Sequence, residues 1–219
     1  MKTKQAGFTL VEIAIVLVII GLLLGGILKG QEMITQAKIK NVINDFNGIT
    51  AAVSSYQDRY RALPGDDLNA GSRWAGSFPG NGDGQWDTGT KFYNNAVAAA
   101  PTAATPEVNM FWWHLRLAGF VAGTTAVQVS SITQPANAAN GIMGVQTGGM
   151  GFTSNIVCSS NLPDKIAIAV DTQMDDGTAA TGQVRAMLQS SPNQLAAVSS
   201  PTDVFAETGT NQYLLCKNL

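Results

Sequence analysis

Hydrophobic residues fall into three regimes along this chain. From Phe8 to Leu28 the sequence FTLVEIAIVLVIIGLLLGGIL is apolar on every helical face and carries one charge, Glu12. Those 21 residues, coiled at ~1.5 Å each, reach ~31 Å, the thickness of a bilayer's hydrocarbon core. Lys2 and Lys4 precede the run without an acid, which predicts a cytoplasmic N-terminus with the remainder outside, by a modest charge bias since Lys29, Lys38 and Lys40 follow on the other side. Past Lys29 the pattern turns amphipathic: Ile39, Val42, Phe46, Ile49, Val53, Tyr56 and Tyr60 recur at alternating steps of three and four, among Asn, Gln, Lys and Asp. Such a stripe predicts a helix, either in a coiled coil or packed by one face on a globular domain. The chain that follows is long enough to build that domain, which favours packing. Leu63-Pro64-Gly65 stops the helix, because the residue before a proline disfavours helical geometry. One helix from about Phe8 to about Arg61 is expected, ~80 Å long if unbroken.

The third regime is irregular. Pro64 to Gly89 is rich in turns, and residues 96–106, AVAAAPTAATP, read as a surface connection. A short helix is expected from Pro106 to near Gly119, with Met110, Trp113, Leu117 and Phe120 as its buried stripe. Residues 165–170, 183–188 and 213–216 alternate as strands do, with Asp175-Asp176-Gly177 as a turn between the first two. Three antiparallel strands lying on the helical stripe give an α+β head.

Composition narrows the chemistry. The chain has 219 residues, 13% charged and 45% hydrophobic, with a formal charge of −2. The charged fraction is about half the usual ~25%, so much of the surface is polar but uncharged, as in an exported protein. No concentrated basic face exists, which argues against a nucleic-acid partner. A single histidine, His114, excludes a multi-histidine metal site, and no Ser, Cys or carboxylate partner marks it as part of a triad. No phosphate-cradling GxxxxGK[ST] loop occurs, so no enzyme is expected. Two cysteines, Cys158 and Cys216, form no CxxC motif. In an exported chain such a pair reads as a disulfide, stabilising by ~4 kcal/mol through loop closure, the alternative being two buried thiols.

Asp66, Asp67, Asn81, Asp83 and Asp87 crowd among glycines. Oxygen ligands spaced by glycine turns suit calcium, although Asn-Gly and Asp-Gly are also the commonest tight-turn pairs. The spacing lacks the terminal glutamate of an EF-hand. Asp171, Asp175 and Asp176 form a second acidic group, for which calcium and plain loop solvation are both open. Gly21, Gly25, Gly26 and Gly30 punctuate the apolar run. They allow close helix packing in lipid, or weaken the helix by about 1 kcal/mol each so that it extends in an assembly, or simply lie in a continuous helix.

Gly7 followed by Phe8-Thr9-Leu10-Val11-Glu12 resembles the prepilin-peptidase site of type IV pilins and type II secretion pseudopilins. A secretory signal peptide would have a shorter apolar region and a cut after it. The resemblance implies a leader of residues 1–7, cleavage after Gly7, methylation of the Phe8 amine, a transmembrane and polymerisation segment over 8–28, an amphipathic stalk over 29–61 and a head over 62–219. It implies that Glu12 pairs with the Phe8 amine of a neighbouring subunit, offsetting the cost of a charge at membrane depth, the alternative being a side chain that reaches out to the lipid headgroups. Related pilins often carry a proline near the glycines; this chain has none there. YRALPGDD, GNGDG, FWWHLRLAGF and DKIAIAVDTQMDDGTAATGQVRA, the last expected as a hairpin, are similar to a prepilin-like head. The fold so implied is a lollipop, a long helix packed on a small antiparallel sheet with large loops. The implied partners are prepilin peptidase, an inner-membrane assembly platform with its ATPase, and further copies of the chain. The implied locations are the inner membrane before assembly and an extracellular pilus afterwards. A pseudopilin or a minor pilin shares the N-terminal features.

Overall fold

A computed structural model describes residues 9–86 and 92–219. The chain divides into two compact units, Met1–Lys38 and Ile39–Leu219. Helix α1, Leu10–Tyr60, contributes to each.

In the first unit α1 opens on a reciprocal cap. The Thr9 amide donates to the Glu12 carboxylate at 2.8 Å, and the Glu12 amide donates back to the Thr9 hydroxyl at 3.3 Å. This is a capping box, which satisfies donors that a first helical turn leaves unpaired. From Leu10 to Leu28 every large apolar side chain is exposed.

In the second unit α1 buries the predicted stripe: Ile39, Val42, Phe46, Ile49, Val53 and Tyr56, with Ala52 added and Tyr60 packed at its edge. The helix ends at Tyr60, one residue before the expected limit, and Arg61 turns left-handed with φ 54°. The elements that follow are α2 (Ala70–Arg73), α3 (Glu107–Leu117), α4 (Val129–Ile132), β1 (Met143–Gly149), β2 (Phe152–Pro163), α5 (Asp164–Met174), β3 (Val184–Leu188) and β4 (Gln212–Asn218). The strands form one antiparallel sheet in the order β1-β2-β4-β3. Alternation sorts its two faces. Val145, Val157, Val184, Ala186, Tyr213 and Leu215 join the core cluster that contains the α1 stripe. Ile156, Cys158, Met187, Leu214 and Cys216 form a second cluster with Tyr93 and Met150.

Three expectations are corrected. Residues 165–170 are not a strand but lie in α5. The buried residues Ile166, Ala167, Val170 and Asp171 of α5 recur as one helical face, and Pro163 immediately precedes the first turn. The expected hairpin of that segment is therefore absent, and β3 pairs with β4 instead. The sheet has four strands rather than three, because β1 and β2 carry buried Gln146, Ser159 and Ser160 where an apolar alternation was sought. Helix α3 is buried on two sides: Met110 and Trp113 enter one cluster, Val108, Phe111, Trp112 and Leu115 the main core. Leu117 and Phe120 are only partly buried.

Cys158 and Cys216 face each other across β2 and β4 and form a disulfide. The thiol alternative is thereby excluded.

Candidate functional site

The first candidate surface is the apolar half of α1. Leu10 is 91% and Leu22 74% exposed, and no residue of the most apolar stretch is buried within the chain. Gly21, Gly25, Gly26 and Gly30 lie inside the uninterrupted helix, and a Cβ at any of them would meet nothing within 4 Å. The helix is long and apolar enough to cross a bilayer. Glu12 is engaged by its own chain: its carboxylate also accepts the Thr9 hydroxyl at 2.7 Å. Lys29 and Glu32 pair at 3.1 Å on the exposed surface beyond the apolar run. Gly7 and Phe8, the expected processing positions, lie outside the described residues.

The acidic loop is the second. Asp66 accepts backbone N–H bonds from Gly82, Asp83 and Gly84. Burial pushes its carboxyl up, against the opposing pull of the Gly84 and Gly82 amides. Asn81 donates its amide to Glu107 at 2.8 Å, and Asp83 caps Gln85 at 2.9 Å. Carboxylate oxygens of Asp66, Asp83 and Glu107 lie within 4.8 Å of one another. Glu107 was not singled out in the sequence. It begins α3, and only tertiary folding brings that helix to the loop. Asp67 turns away to a different task. It accepts the Tyr56 hydroxyl at 2.7 Å and the Asn69 amide at 2.8 Å, and it pairs with Arg73. Burial alone would push the Asp67 carboxyl up, but those bonds hold it below the usual range. Burial, then Asp67, pushes the Tyr56 hydroxyl far up, so it stays a donor. Asp87 lies outside the described residues.

The loop is anchored through His114. Its Nδ1 accepts the Gly65 amide at 2.9 Å and its Nε2–H donates to the Phe78 carbonyl at 3.0 Å. Burial lowers its pKa to about 4, which keeps it neutral. Gly65 is required there: its φ is +89°, and a Cβ would lie 2.6 Å from the Glu107 carbonyl oxygen. His114 thus holds a loop against α3, with both ring nitrogens committed to backbone.

The third group is Asp171, Asp175 and Asp176 at the end of α5, whose carboxylate oxygens also lie within 4.8 Å of one another.

Residues 2–28 match the family model of the prokaryotic N-terminal methylation motif. Among solved structures, the major type IV pilin PilA1 from Clostridium difficile is similar at 10% identity and a TM-score of 0.35, over 83% of this chain and 96% of that one. No curated protein matches this chain. The chain therefore carries an N-terminal methylation motif on a long apolar helix, and the same helix continues into a unit with a small antiparallel sheet. That combination agrees with a pilin or pseudopilin, anchored in a membrane before assembly.

Proposed function

We propose that this chain is the structural subunit of a type IV pilus filament. The observation that carries the reading is the run of large apolar side chains from Leu10 to Leu28, all exposed in the single chain, directly within the matched methylation motif. Exposed apolar surface costs ~25 cal/mol per Å² in water, so that face needs either lipid or other copies of itself. A filament exchanges the first for the second. In this reading prepilin peptidase cuts after Gly7 and the new Phe8 amine is methylated. An inner-membrane platform, driven by its ATPase, then lifts the subunit from the bilayer into the fibre. Glu12 meets the Phe8 amine of a neighbour during docking, and its second carboxylate oxygen takes no part in the contacts with Thr9. Heads of low charge face the solvent outside the cell.

The test is mass spectrometry with electron microscopy on fibres sheared from the native cell surface. Fibres built mainly from this chain, beginning at methylated Phe8, are expected. A cleaved chain that stays in the cell envelope overturns the pilus reading in favour of a pseudopilin.

A further inference from the structure

We infer that the C-terminal end of α5 is a calcium site built from Asp171, Asp175 and Asp176. The three carboxylates each place an oxygen within 4.8 Å of the others. Acidic groups gather on many surfaces without meaning, but here a second observation points to a ligand. Asp171 is fully buried on the inner face of α5, and neither of its carboxylate oxygens has a hydrogen-bond partner. Buried polar groups are almost always paired, and an unpaired buried carboxylate is among the costliest arrangements a fold contains.

Among the described residues no ion pair compensates it. The last turn of α5 has no basic residue, and the ion pairs among the described residues are Lys29–Glu32 and Arg73–Asp67. Carbonyls at a helix C-terminus add partial negative charge of their own. The other two carboxylates are held in place by their own bonds. Asp175 accepts the Val184 amide at 2.8 Å, while Asp176 accepts the Thr178 amide at 2.8 Å and the Thr181 hydroxyl at 2.6 Å. The chain also makes room for them: Gly182 has φ +79°, and a Cβ there would fall 2.6 Å from the Asp175 carboxyl carbon. The donor set is all oxygen, without His or Cys, which selects a hard divalent ion, and water completes calcium's six to eight ligands. Bound there, calcium ties the end of α5 to the turn that leads into β3. Asp66 differs in this respect, since three backbone amides already donate to its carboxylate.

The full chain in detergent micelles, stripped with EDTA, is titrated with calcium chloride by equilibrium dialysis and by thermal melting. The expected result is saturable binding in the sub-millimolar range and a melting temperature that climbs with the logarithm of calcium concentration. Magnesium should act more weakly. Asp176→Asn, at an exposed position, should lose that binding and the melting response, and Asp83→Asn should keep both. Asp171→Asn removes the buried charge without changing shape, so it should fold without calcium and ignore the ion. Absence of binding at millimolar calcium overturns the proposal. So does binding that survives Asp176→Asn and Asp171→Asn, or a melting temperature that follows pH near neutrality but not calcium, which would assign a proton to Asp171.

Discussion

At Glu12 one carboxylate closes the first turn of α1 through Thr9 and also carries the lone charge of the apolar run. The two roles separate by substitution, because glutamine serves a capping box as glutamate does but has no charge. If docking depends on pairing with a neighbour's amine, Glu12→Gln and Glu12→Ala should both lower filament yield several-fold while cleavage after Gly7 continues. Normal yield from Glu12→Gln would leave the cap as the residue's whole role. His114 gives a second residue-scale test. Its pKa is about 4 in the fold against an ordinary 6.5, so between those values the unfolded chain takes up a proton that the folded chain refuses. Stability from this group is complete above pH 6.5 and declines as the pH falls toward 4, by about 3 kcal/mol in all. Denaturant titrations of the full chain in micelles across that window should show a shallower pH slope for His114→Gln than for the parent protein.

Among the elements, α1 was the most legible and α5 the least. The stripe from Ile39 to Tyr60 repeats long enough for a helical period to be unambiguous, and each of its members is buried or packed on the core. Lys165 to Val170 is too short for that. Isoleucine and valine at alternate positions imitate a strand, whereas burial of Ile166, Ala167, Val170 and Asp171 follows the helix. Strands β1 and β2 were hidden for the opposite reason. Their buried polar side chains find partners that lie far away in sequence: Gln146 accepts the Tyr93 amide, and Ser160 donates to Asn193. A hydrophobic pattern cannot register such positions. The disulfide was legible as a pair but not as a location. It bridges β2 and β4, the two central strands, with Cys158 directly opposite Cys216. Replacing both cysteines by alanine should lower unfolding free energy by about 2–5 kcal/mol, read from denaturant curves of the oxidised parent and the double variant. In the non-reduced native protein neither thiol should take up an alkylating reagent.

For the whole molecule, two opposite solvation patterns share one helix. The unit Ile39–Leu219 encloses its own core, with Trp86, Trp112 and Trp113 among its largest buried side chains. The apolar stretch in the unit Met1–Lys38 encloses nothing. Sequence alone determined the N-terminal methylation motif, an apolar run long enough to cross a bilayer, the extent of α1 to within a residue or two, the short helix after Pro106 and the pairing of the two cysteines. All of these rest on local chemistry: a run of apolar residues, a helical period, a proline, a count of thiols. Tertiary structure alone decided that residues 165–170 coil, that the sheet has four strands, that Glu107 joins Asp66 and Asp83, and that Asp171 is buried with its carboxylate unpartnered. Each of those depends on which distant groups supply or withhold a hydrogen bond. The order of residues along a chain does not carry that information until the chain has folded.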